Sequence, residues 1–286
     1  MKKKAFVYNL INVLVLLAAG CILVRNYSLQ KLFADTCAAY IGIMLLTVLL
    51  VHFLKAIRLY FALYGANISF SQYLKIYCKV TPVSILLPFK FGELFRMYCY
   101  GNQTGNMLKG VITVVLDRFM DTIALLTMII AVWTIYGGVI TPLVYILLLF
   151  VLAVIIVFVV FPGVYRYWNK YLLRADATVR KMRAIKLLNK FNLVYQEIAN
   201  VTKGRGIILY ILSLLAWIIE IGSVSLLYRL YGARTNVNAK ISEYLSSALS
   251  SSQAIELKQF IFISVILMIC IYVIVKLIDV ATVERN

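Results

Sequence analysis

The chain has 286 residues, 63% apolar and only 14% charged, with 29 Lys and Arg against 11 Asp and Glu for a net charge of +18. Soluble domains carry about a quarter charged residues, so this composition excludes a soluble globular fold and a separate soluble catalytic domain; the chain reads as an all-α polytopic membrane protein, a single membrane domain over 1–286. The five cysteines, Cys21, Cys37, Cys78, Cys99 and Cys270, contain no Cys-x-x-Cys pair, which points to apolar packing and not to a disulfide framework or metal knuckle; no cofactor is expected.

A hydrocarbon core about 30 Å thick is crossed by about 20 apolar residues in a helix. Sustained apolar windows predict spans at 5–24, 37–54, 107–135, 139–161, 206–230 and 259–278. The first follows the basic start MKKK, as in a signal peptide, but its apolar run is longer than a signal core and no A-x-A site follows. It is expected to remain as an uncleaved span. Near the end of the second span, His52, Lys55 and Arg58 read as side chains snorkelling to headgroups. The chain has a single histidine, too few for a His-rich metal site or a catalytic triad.

Residues 69–100 are apolar but interrupted. Pro82 after Thr81 suits a capped helix start, whereas Pro88 disfavours a helix through it and helical geometry at Leu87. The stretch therefore predicts a re-entrant hairpin turning near Ser84 to Pro88, its second arm a helix starting at Pro88. Such a start leaves the amides of Phe89, Lys90 and Phe91 free and directs the positive dipole end inward, an anion site of the kind broken helices supply in transporters. Lys90, Glu93 and Arg96 follow at three-residue spacing in LPFKFGELFRMYCYG and share one face. Gly92 permits close helix approach, and Gly101 with Asn102 suits a C-cap.

The next span opens with VVLDRFMDTIALL, which places Asp117 and Asp121 at i and i+4 with Arg118 beside them. Asp117 and Asp121 could together hold Mg²⁺ against a phosphate. Glu220, in AWIIEIGSV, lies deep in the fifth span. A charge at mid-helix costs roughly 2.5 to 3.5 kcal/mol on insertion scales. Lys90, Glu93, Arg96, Asp117, Arg118, Asp121 and Glu220 would together cost on the order of 15 to 20 kcal/mol facing lipid, so they must face inward, pair or line water. These intramembrane charges point to function.

Between spans four and five, 162–205 carries ten basic residues (Arg166, Lys170, Arg174, Arg180, Lys181, Arg183, Lys186, Lys190, Lys203, Arg205) against Asp176 and Glu197. The positive-inside rule puts this connector and the start with Lys2, Lys3 and Lys4 in the cytoplasm, and six crossings place both termini there. Anionic lipid headgroups account for the net charge, so nucleic acid is not expected as a partner; a cytoplasmic or membrane partner on 162–205 is the other reading. Tyr165, Tyr167, Trp168 and Tyr171 fit an interfacial belt.

Three motifs in order resemble those of the lysylphosphatidylglycerol synthase transmembrane-region family, also called flippase-like. LPFKFGELFR is similar to its L-P-x-R-x-G-E-x-x-R, VVLDRFMD to its E-R-x-x-D, and WIIE to its W-x-x-E, over about residues 40–230. The resemblance singles out Pro88, Lys90, Gly92, Glu93, Arg96, Asp117, Arg118, Asp121 and Glu220 as substrate-binding. Lys90 stands where the family has arginine, and Asp117 where it has glutamate. The family's late Pro/Gly-rich re-entrant element is not visible in NAKISEYLSSALSSSQAIELKQF, which leaves a second re-entrant element near 240–258 open. The synthases' aminoacyl-transferring soluble domain is also not seen, so lysine transfer is not expected. The resemblance implies a flippase or amphiphile transporter of the bacterial plasma membrane acting on a phosphate-bearing lipid, with an aminoacylated or zwitterionic headgroup suiting the near-balanced charges. No Walker P-loop is present to use ATP directly. The alternatives are a membrane transferase acting on a phospholipid or polyprenyl phosphate, and an accessory anchor for a cytoplasmic enzyme.

Overall fold

The computed structural model describes residues 36–63, 65, 68–87, 91–137, 141–174, 179–231, 236–249 and 254–283, with scattered positions between 14 and 33. Most of the predicted first span at 5–24 lies outside them, as do Pro88, Phe89 and Lys90. Among the described residues the chain forms α1 (Ala38–Ala62), α2 (Phe70–Leu86), α3 (Phe91–Thr104), α4 (Met107–Tyr136), α5 (Pro142–Arg174), α6 (Val179–Thr202), α7 (Gly206–Tyr231), α8 (Val237–Leu249) and α9 (Ile255–Val283). Five of these, α1, α4, α5, α7 and α9, are long and apolar enough to cross a membrane, matching the second to sixth predicted spans. The protein is a multi-pass helical membrane protein.

Helix α1 is antiparallel to α7, with Arg58 beside Ser213 and Lys55 beside Glu220. The level at which α1 ends and α7 begins marks one face of the bundle, called here the near face. From there α2 and α3 enter as a hairpin. Ser69 caps α2 by accepting from the Gln72 amide, and 17 residues carry the chain inward about 25 Å. Leu87 is extended (φ −74°, ψ 129°), which ends α2 before Pro88, and α3 returns from Phe91. The arms touch backbone to backbone: a Cβ on Gly92 would lie 2.9 Å from the Ser84 amide nitrogen and closer still to the Val83 carbonyl oxygen. The hairpin core is aromatic, with Tyr73 stacked on Tyr100 at 6.2 Å and its hydroxyl donating to the Ala56 carbonyl of α1 at 2.5 Å.

Two expectations are corrected here. Pro82 does not start a helix but lies inside α2; beside it Thr81 Oγ1 donates to the Tyr77 carbonyl (2.6 Å) and Ser84 Oγ to the Thr81 carbonyl (3.0 Å), while the carbonyl that the proline leaves without its helical amide is that of Cys78. Gly101 is not a C-cap. It lies within α3, packed against Gly110 of α4, and the turn falls at Gly105 (φ +66°) with Asn106 capping α4. The basic connector is helical: α5 runs through Pro162 to Arg174 and α6 folds back along it, placing Tyr195 4.8 Å from Phe158 and 5.2 Å from Phe161.

Helix α8 sits toward the opposite face. Its Ile241, Tyr244 and Leu245 bury against Trp217, Ile221 and Val224 of α7 and Ala124 and Leu125 of α4. The possible second re-entrant element near 240–258 thus falls on this short helix and the start of α9, with 250–253 outside the described residues.

Candidate functional site

Four helices bring a buried ionic network together. Helix α1 contributes Lys55 and Arg58, α3 Glu93 and Arg96, α4 Asp117, Arg118 and Asp121, and α7 Ser213 and Glu220. At the centre, Arg58 is 2% exposed and Asp117 4%. Arg58 Nε and Nη2 both approach Asp117 Oδ1 at 2.7 Å, while Nη1 reaches Asp121 Oδ1 at 2.8 Å and donates to Ser213 Oγ at 2.6 Å. The planar fork of arginine, with five donors, satisfies three acceptors on two helices as an ammonium cannot.

Arg96, 5% exposed, completes the pairing of Asp117. Its Nη2 lies 3.2 Å from Asp117 Oδ2 and its Nη1 3.7 Å from Glu93 Oε2. Glu93 is also paired with Arg118, whose side chain is 44% exposed at the protein surface. Asp117 lies ten residues into α4 and Arg96 eight from the end of α3, which places the network about 12 to 15 Å along those helices from their near-face ends. In so dry a setting an unpaired charge costs several kcal/mol, which explains why each carboxylate is matched.

Glu220 forms a branch of the same network. Tyr244 of α8 donates to its Oε1 at 2.6 Å, and Lys55 Nζ is 3.8 Å from its Oε2. The Lys55 ammonium also sits over the Trp217 ring, 5.7 Å from its centroid. Lys55 and Arg58 lie three residues apart on one face of α1, so that face joins the two branches.

The structure therefore gathers Glu93, Arg96, Asp117, Arg118, Asp121 and Glu220. Gly92 acts at the α2–α3 crossing, and Pro88 and Lys90 lie outside the described residues. The described start of α3 is Phe91, three residues beyond Pro88. The expectation that His52, Lys55 and Arg58 snorkel to headgroups is corrected. His52 is buried with Nδ1 3.2 Å from the Tyr77 hydroxyl, and Arg58 is the network's centre. The sequence signal was their three-residue spacing, with α1 extending to Ala62 where the apolar window stopped at residue 54. Asp117 and Asp121 are engaged by guanidinium groups, Asp117 on both oxygens, and no group of three or more His, Cys, Asp or Glu able to hold a metal occurs among the described residues.

No curated relative and no solved structure matches the chain. The re-entrant hairpin, the carboxylate pair and the deep glutamate do coincide with a family of membrane proteins related to lipid handling: the model described as lysylphosphatidylglycerol synthase TM region matches residues 9–252, and the chain belongs to that family.

Proposed function

We infer that the protein is a lipid flippase or amphiphile transporter of the bacterial plasma membrane, with the near face and both termini in the cytoplasm. The phosphate of a lipid headgroup is held by Arg96 and Lys90, with Arg118 as the outer contact, while Glu93, Asp117 and Asp121 exchange their arginine partners for cationic parts of the headgroup. The observation that carries this reading is the network itself, in which Arg58 and Arg96 are buried and Arg118 is partly exposed among apolar helices, each paired to a carboxylate that a phosphate can replace. The break at Leu87 adds support, since broken helices at membrane depth are used where they line substrate sites.

The test is leaflet exchange of labelled phospholipids in proteoliposomes, comparing wild type with Arg96→Ala, Glu93→Ala and Lys90→Ala after insertion of each is confirmed. Exchange is expected in wild type, with losses of about tenfold or more in Arg96→Ala, equivalent to about 1.4 kcal/mol. Equal exchange in all four proteins overturns the reading.

A further inference from the structure

Trp217 and Glu220 lie one turn apart on α7 and are 7% and 3% exposed. Each carries a buried polar atom with no hydrogen-bond partner. Tyr244 donates to Glu220 Oε1 at 2.6 Å, but Oε2 meets the Lys55 ammonium only at 3.8 Å, beyond hydrogen-bond reach. The Trp217 indole Nε1 is buried without an acceptor. Residues three apart on a helix share a face, and the same Lys55 ammonium lies over the Trp217 ring, 5.7 Å from its centroid. Both residues therefore border the volume that the end of the Lys55 side chain fills.

The two unpartnered atoms need different things. A carboxylate oxygen only accepts, and an indole N–H only donates. An ammonium serves Oε2 but cannot serve Nε1. A phosphate oxygen serves Nε1 but is repelled by the carboxylate. Hydroxyl groups serve both, because each donates and accepts. The indole face that Lys55 covers completes the match, as an apolar surface for the C–H side of a polyol ring. Lys55 is the part that can move, since its side chain is 24% exposed and makes no hydrogen bond to Glu220. Arg58 sets the size of the ligand. Its guanidinium touches Asp117 on the Arg96 side and Asp121 on the side that faces Glu220. A headgroup with its phosphate at Arg96 must extend past this fork to reach Glu220, which favours a polyol of sugar size.

We propose that Glu220 Oε2 and Trp217 Nε1 form a hydroxyl-reading subsite that takes a sugar-like polyol headgroup. Ring hydroxyls donate to Glu220 Oε2 and accept from the Trp217 N–H, the ring lies against the indole, and Lys55 turns toward near-face water to make room. The proposal rests on the lipid-headgroup reading above and adds the substrate class, a phosphate lipid with free hydroxyls on its headgroup.

Short-chain phosphatidylinositol and phosphatidylcyclohexanol carry the same charge and the same ring, with and without ring hydroxyls, and serve as probes for the purified full chain in detergent. Calorimetric titration is expected to show phosphatidylinositol binding about tenfold or more tighter, because the analogue leaves both buried atoms unpaired. Trp217→Phe, which lacks the N–H, is expected to reduce that ratio by about fivefold or more. A second readout needs no change at the subsite. The chain has three tryptophans, and Trp133→Phe and Trp168→Phe identify the Trp217 indole N–H resonance by elimination. In wild type that resonance is expected to move with phosphatidylinositol and to stay in place with phosphatidylcyclohexanol. Equal affinities, a ratio that Trp217→Phe leaves intact, or a Trp217 resonance that moves alike with both lipids overturns the proposal; one that moves with neither shows a bound water only and overturns it too. Leaflet exchange of the same lipids separates the two readings. Exchange with equal affinities overturns the hydroxyl subsite alone, discrimination without exchange overturns translocation and leaves the subsite standing, and binding of neither lipid overturns both.

Discussion

Arg58 holds the largest share of the network, with bonds to Asp117, Asp121 and Ser213 from one guanidinium. Removing one partner of a buried pair leaves the other charge stranded at a cost of about 3 to 5 kcal/mol. Arg58→Ala is therefore expected to lower thermal stability in detergent by an amount of that order. Arg58→Lys recovers only part of it, since a single ammonium cannot reproduce the fork; equal melting temperatures for wild type and Arg58→Ala count against Arg58 as the centre. The carboxylates of this site were readable in the sequence because Asp117 and Asp121 interrupt an apolar run at helical spacing. Arg58 was not, because a hydropathy window counts each charge as if it met lipid alone. Pairing across α1, α4 and α7 is a tertiary property that cancels most of that cost.

At the scale of elements, the hairpin depends on two glycine crossings. Gly92 meets the backbone of Ser84, and a Cβ on Gly110 would lie 2.6 Å from Gly101 Cα and 2.8 Å from the Met97 carbonyl oxygen. Backbone cannot yield as a flexible side chain does, so Gly92→Ala and Gly110→Ala are expected to push α3 away from α2 and α4 and to lower both the melting temperature and exchange. Gly163→Ala in α5, with nothing within 4 Å of the added Cβ, is the control and is expected to be neutral or to stabilise by about 0.5 to 1 kcal/mol. The break after Leu87 was readable from Pro88, and the close approach from Gly92. The helix through Pro82 was not, because one proline in an apolar run does not say whether a helix begins at it or continues past it. Helix α6 was hidden as well, since its cations and apolar residues are mixed around its circumference and its order comes from packing on α5.

For the whole molecule, five described crossings, with a sixth predicted at 5–24, set which ends share a face. Single cysteines introduced at Asn189 in α6 and Asn236 before α8 are expected to label from opposite sides of the membrane with an impermeant thiol reagent, Asn189 from the cytoplasm. Labelling from the same side shows the span count to be wrong. The alternation of spans was readable because lipid demands about 20 apolar residues whatever the fold. The arrangement of those spans around a common polar centre was not, since apolar residues facing lipid and facing protein read alike.

Helix α8 closes the polar network on the side away from Lys55, with Tyr244 bonded to Glu220 beneath a layer of Trp217, Ile221 and Leu245. On the flippase reading, a headgroup that reached the arginines from the near face meets this helix before the opposite leaflet. On that reading the thirteen-residue segment must swing aside for leaflet exchange, so tethering it to α4 is expected to leave headgroup binding intact and to stop exchange.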